Sequence, residues 1–230
     1  KNKMDKFQWI KNHFENRKEV YEWNSLNDII PNIFDDYFLI HWKVGIIEDF
    51  PFEDYPEQNE TIEQINKRIK IERNFDLFLN PDKENLFKEV NLNYISKKFN
   101  TQLNYKILNN IKETPAVEIL HKKSVKALAT SIKKISEHQS LNLFIEDAYR
   151  FPFEKEPKQE YNGISIEEYI ELQENLSFDY STYLFPDNLD WCLTTSEDLP
   201  MFLCIKKEIL EKIKTFELEI FKIDYKQKLY

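Results

Sequence analysis

Glycine occurs only twice in this 230-residue chain, as Gly45 and Gly163. Glycine supplies positive φ and lets a ligand phosphate approach the backbone closely. A chain this poor in it carries no P-loop, no dinucleotide-binding fingerprint and no GxSxG nucleophile elbow. Few tight primed hairpin turns are available to it either. Helices joined by longer loops around a modest sheet are the architecture this favours.

Material for a core is ample. The chain has 18 Phe, 12 Tyr and 4 Trp, and each buried aromatic ring removes on the order of 150–250 Å² from water. No run of 18 apolar residues exists, so no membrane contact is expected. The first residues, KNKMDKFQWIKNHFENRKEV, lack the continuous apolar centre of a signal peptide. Two cysteines make no disulfide framework. The expectation is a soluble cytoplasmic protein, single-domain over 1–230 with a soft division near 100–114.

Apolar spacing predicts a helix over 5–22, with Phe7, Ile10, Phe14 and Tyr21 near one stripe. Ser25 with Asp28, Thr61 with Gln64 and Ser165 with Glu168 are capping-box patterns. They predict helices opening after each, the second running to about Asn80 before Pro81 and the third to about Asn175. The stretch 37–47, YFLIHWKVGII, alternates Phe38, Ile40, Trp42, Val44 and Ile46 and reads as one strand ended at Pro51. Residues 82–99 read as short helices, and a long amphipathic helix is expected from Pro115 to about His138. Strands are expected at 141–147, 191–195, 201–205 and 217–223, with a helix over 206–214. The mixture, without steady βαβ alternation, predicts an α+β fold: a small antiparallel or mixed sheet packed with several amphipathic helices.

FPFEDYP at 50–56 returns as FPFEKEP at 151–157. Each copy follows an apolar strand and precedes a capping-box helix. The structural reading is a repeated way to end a strand; a ligand-binding repeat and coincidence are the alternatives.

Charge carries the functional reading. The net charge is −9, yet Gln159 to Ile205 holds ten acids and no Lys or Arg. A second acidic run, 48–60, is also without a base. Glu167, Glu171 and Glu174 fall at i, i+4, i+7, where like charges repel on a helix. Such a field disfavours nucleic acid and draws a cationic partner. The candidate partner-binding residues are Glu48, Asp49, Glu53, Asp54, Glu57, Glu167, Glu171, Glu174, Asp187, Asp190, Glu197 and Asp198. Interleaved aromatics such as Tyr161, Tyr169 and Trp191 would supply anchors. The helix after Pro115 is basic on its outer face, through Lys122, Lys123, Lys126, Lys133 and Lys134, and either lies against the acidic segment or meets an anion of its own.

Catalytic patterns are sparse. Cys192 and Cys204 face each other if Thr195 faces Met201, and read as buried small apolar residues. His13, His41, His121 and His138 are scattered and fit no zinc or triad spacing. Pro186-Asp187 with Asp224-Tyr225-Lys226 loosely resembles the PD-(D/E)xK pattern of metal-dependent nucleases, in which carboxylates hold Mg²⁺. The leading expectation is a non-enzymatic protein without cofactor or metal that binds a basic protein. By analogy of class, this is an immunity-type inhibitor of a bacterial toxin domain. The alternatives are that nuclease and a structural or regulatory domain whose acids serve solubility.

Overall fold

A computed structural model describes residues 5–15, 25–50, 52, 61–111, 114–137, 139–147, 159–176, 180–195 and 200–228. The fold is α+β and divides into two compact units, residues 1–41 with 127–230, and residues 42–126.

The first unit is built on a seven-stranded sheet. Its strands are β1 (Asp36–His41), β5 (Leu141–Asp147), β6 (Glu160–Ile164), β7 (Tyr180–Pro186), β8 (Trp191–Thr195), β9 (Met201–Ile205) and β10 (Glu219–Ile223). They lie in the order β10-β1-β9-β8-β7-β5-β6, and every neighbouring pair is antiparallel. Its helices are α1 (Gln8–Glu15), α2 (Leu26–Ile29), α6 (Ile166–Asn175), α7 (Leu210–Ile213) and, from Ala127 onward, α5 (His121–Ser136).

Alternate residues of a strand point to opposite faces, and both faces of β7 are covered. Tyr183 and Phe185 meet α1, with Phe14–Tyr183 and Trp9–Phe185 ring centroids 5.6 and 5.1 Å apart. Thr182, on the other face, accepts from Gln173 Nε2 of α6 at 2.9 Å. This double cover explains why β7 is buried at every position after Tyr180 instead of alternating. Cys192 stands opposite Cys204, the register expected from the sequence, and both are free, buried thiols.

The 37–47 segment is two strands, which corrects the single-strand reading. Tyr37–Ile40 pair with both β9 and β10. After His41 the chain leaves that sheet, and β2 (Val44–Ile46) belongs to the second unit, whose three-stranded sheet runs β3-β2-β4. Here β3 is Lys88–Val90 and β4 is Val117–Ile119, both antiparallel to β2. Period-two alternation continues across Trp42-Lys43, so the break is invisible to pattern alone.

Helices α3 (Ile62–Phe75) and α4 (Leu92–Lys98) complete the second unit, with short 3₁₀ turns at Pro81–Leu86 and Ile107–Asn110. The helix expected at Pro115 begins later, because Val117–Ile119 pairs as β4. What sets the start of α5 is distant in sequence: the buried Glu84 carboxylate accepts from the Lys122 and Lys123 backbone N–H groups, each at 3.2 Å. Helix α3 likewise ends before Asn80, whose amide donates to the Arg73 and Asp76 carbonyls at 2.9 and 3.1 Å and satisfies the exposed C-terminal acceptors.

Phe50 and Phe52 of the first FPFE copy do not close a strand, since β2 stops at Ile46. Their rings pack against one another at 5.1 Å, Phe50 against Phe75 of α3 at 6.2 Å and Phe52 against Phe99 at 5.5 Å. The second copy, 151–157, lies outside the described residues.

Candidate functional site

The acids singled out by charge divide between the two units. Glu48 and Asp49 follow β2 in the second unit. Glu48 accepts from Lys88 Nζ at 2.9 Å and from the Tyr94 hydroxyl at 3.2 Å, and these bonds hold its carboxyl below the usual range. Asp49 is exposed. Glu53, Asp54, Glu57, Glu197 and Asp198 lie outside the described residues.

In the first unit Glu167, Glu171 and Glu174 all sit exposed on α6. A hydrogen bond from Lys133 Nζ, at 2.5 Å, holds the Glu167 carboxyl below its ordinary value. The α5 lysine thus lies against the acidic segment, as the intramolecular reading of the basic helix has it. The Glu171 and Glu174 carboxylates make no ion pair among the described residues. Asp187 lies elsewhere: Lys6 Nζ and Asn142 Nδ2 reach it at 2.6 and 2.7 Å. Asn142 pairs with Phe185 across β5 and β7, so it shares the α1 side of the sheet, opposite to α6. Asp190 accepts from Asn188 Nδ2 in the turn that follows β7. Folding therefore brings Glu167, Glu171 and Glu174 together and sets Asp187 apart from them.

Beside the α6 acids is a feature the sequence reading missed. Tyr161–Ile164 of β6 and Glu168, Glu171, Leu172 and Asn175 of α6 line a groove of about 360 Å³ that contains no Lys or Arg. Strand β6 ends the sheet, so among the described residues its outer backbone groups have no partner strand. Gly163, at φ +71°, bends the strand into Ser165, which caps α6. The Ser165 hydroxyl accepts from Glu168 N at 3.1 Å, and the Glu168 carboxylate takes the Ser165 N–H and Oγ–H at 2.8 Å each. Backbone donation from Ser165 lowers the Glu168 carboxyl value, so Glu168 stays anionic at the rim. Glu160–Ile164, polar and glycine-bearing, lacks the β-branched signature of a strand. The available clue was Gly163 two residues ahead of a capping box.

The other candidate chemistry stays dispersed. Burial pushes both the Cys192 and Cys204 thiols up, the opposite of an activated nucleophile. His121 lies 6.0 Å from the Trp42 ring, and His138 lies outside the described residues. Asp187 and Asp224 follow β7 and β10, four strand spacings apart or about 19 Å, too far to share one ion. Among the described residues no group of three or more His, Cys, Asp or Glu is placed to hold a metal, and no helix is long and apolar enough to cross a membrane.

The site is thus an anionic groove at the edge of an antiparallel sheet, in an α+β protein. No protein-family model matches the chain, and no curated protein or solved structure matches it.

Proposed function

We propose that this chain is a non-enzymatic binding protein that receives a basic protein on α6 and the adjoining β6 groove. The observation that carries this reading is the groove itself, with Glu168 and Glu171 on one wall, Tyr161 on the other and no cation in its lining. Cationic side chains entering it would meet Glu171, with Glu174 exposed three residues further along α6; neither has an internal counter-ion among the described residues. An edge strand adds backbone donors and acceptors for an extended segment, and Tyr161 adds an aromatic contact. Asp187 and Glu48, each matched by a lysine, contribute less than their place in the sequence implied. In its particular form the reading is an immunity-type inhibitor of a cationic toxin domain, supported by the absence of any base between Gln159 and Ile205.

The test is titration of a Lys/Arg-rich extended peptide against the full chain at increasing NaCl. The expected result is affinity that falls steeply with salt and is lost on Glu171→Lys/Glu174→Lys. Binding indifferent to both changes overturns the reading.

A further inference from the structure

The register of β6 shows which of its backbone groups are engaged by β5. Ile145 N donates to Gln159 O at 2.9 Å. In the same register Phe144, Leu143 and Asn142 stand opposite Glu160, Tyr161 and Asn162. In an antiparallel ladder, pairs that exchange hydrogen bonds alternate with pairs that do not. Gln159 and Tyr161 therefore turn their N–H and C=O groups to β5, and Glu160 and Asn162 turn theirs outward. The side chains divide by the same alternation. Tyr161 lies on the α6 side, where the groove is. Glu160 and Asn162 lie on the α1 side, where Glu160 shares Lys11 of α1 with Asp5. The two faces of this edge thus differ in charge. Among the described residues, the charged side chains lining the groove are Glu168 and Glu171 alone, whereas the acid on the other face already has a lysine.

We infer that β6 takes an antiparallel strand of the partner protein, with Lys or Arg at every second position. The inference rests on the role proposed for α6 and β6 and gives the form of partner that this site admits. Outward N–H and C=O groups at a sheet edge are a template for another strand. An added antiparallel strand would exchange two hydrogen bonds with each of Glu160 and Asn162. Residues directly opposite in such a pair share a face. The partner residues bonded to Glu160 and Asn162 would face α1, and those alternating with them would face the groove and its two acids. Cations therefore belong on alternate residues, because a continuous run would set half of them on the face where Lys11 stands. A second copy of β6 is the wrong occupant. In a continuous antiparallel sheet its α6 would lie on the same face and bring Glu168 and Glu171 toward their own counterparts, where like charges repel.

The test is fluorescence anisotropy of the full chain with labelled peptides of one composition, Lys and Thr in equal number. One peptide alternates Lys with Thr and the other carries its Lys residues in a block. The alternating peptide should bind more tightly. N-methylation of its Thr residues removes the N–H groups turned to β6 and should weaken binding about tenfold or more, as the loss of two hydrogen bonds does. N-methylation of its Lys residues, whose N–H groups face away, should not. Asn162→Pro removes an outward donor at an edge position, where proline is tolerated, and keeps every bond to β5. It should weaken the alternating peptide in a protein that still melts cooperatively. Equal affinity of the two peptides, or loss through methylated Lys instead of methylated Thr, overturns the inference. If Glu171→Lys/Glu174→Lys abolishes binding while methylation of Thr does not weaken it, the reading of α6 stands and strand addition falls. If neither changes binding, both fall. A dimer in light scattering that Asn162→Pro converts to monomer assigns the edge to a second copy and equally overturns the inference.

Discussion

Lys133 Nζ lies 2.5 Å from Glu167 Oε1, joining helix α5 to helix α6. Both side chains are more than half exposed, so the pair adds little to stability against solvent screening. Its effect is on the field: it removes one of the four α6 acids from the surface a cationic partner would feel. Lys133→Ala should leave the melting temperature within scatter of the parent, yet speed association with a Lys/Arg-rich peptide at low salt. Glu171→Lys should slow it, by about tenfold where steering dominates. Stopped-flow association rates at two salt concentrations check both. Equal rates for the two variants would disconnect α6 from recognition.

Glu84 should matter to folding more than any other carboxylate described. It is buried and its two oxygens cap the first N–H groups of α5. Glu84→Ala leaves those donors without their acceptor at a cost of about 1–2 kcal/mol, as lost caps do. Glu84→Gln keeps one acceptor oxygen and should recover part of the loss. Urea denaturation of the three proteins should give midpoints in the order parent, Gln, Ala. A Glu84→Ala protein as stable as the parent would show that water replaces the carboxylate.

Local signals in the sequence were read well, and non-local ones were not. Ser25, Thr61 and Ser165 cap helices where their side chains predicted it, because a capping box is settled within four residues. The β8–β9 register was legible because a five-residue connection leaves few alternatives. In contrast, the start of α5 depends on Glu84, and the place of β1 between β9 and β10 depends on strands more than 150 residues away. No window of sequence contains those partners. The groove was hidden for a related reason: β6 is held as a strand by β5 more than by its own composition. Charge was read in sequence but decided in space, where Lys6 and Lys133 reach Asp187 and Glu167.

Stability should fall on both sides of neutral pH, for opposite reasons. The Asp5 carboxyl is held below its ordinary value, chiefly by a hydrogen bond from Lys11, and Glu48, Glu167 and Glu168 are depressed similarly. Depressed acids contribute stability above their unfolded values of about 3.9–4.3 and lose it as pH drops through the lower folded ones. Unfolding by acid should therefore set in below about pH 4. On the alkaline side burial raises the Cys192, Cys204 and Tyr169 values and pushes Tyr225 up to about 12. The unfolded chain sheds these protons first, so stability should decline from about pH 8.5, where free thiols ionise, and more steeply near pH 10. Melting temperatures across pH 3–11 measure this. The same burial predicts no iodoacetamide labelling of either thiol at pH 8 without denaturant and labelling of both with it. Rapid native labelling would contradict the packing of β8 on β9.

The two glycines should fail on substitution by different mechanisms. A Cβ added at Gly45 would lie 2.6 Å from Leu120 Cδ2 and 2.7 Å from Phe87 Cβ. The leucine methyl can swing aside, but a Cβ moves only with its backbone, so β2 would have to shift away from Phe87. Gly→Ala at a compatible backbone normally stabilises by about 0.4–1 kcal/mol through the unfolded chain. Here overpacking, at about 1–3 kcal/mol, outweighs that gain. Gly45→Ala should be destabilised, and Gly45→Ala/Phe87→Ala should recover nothing, because the clashing Cβ is retained. At Gly163 space is open, the nearest atom to an added Cβ being Ser140 Oγ at 3.9 Å. The obstacle there is φ +71°, which costs an ordinary L-residue about 1–2 kcal/mol and asparagine less. Gly163→Asn should therefore be milder than Gly163→Ala, while Gly45→Asn, the larger side chain in a closed space, should be worse than Gly45→Ala. Denaturation midpoints of the four single variants would show the two orders reversed, and a common order at both sites would mean that one mechanism governs them.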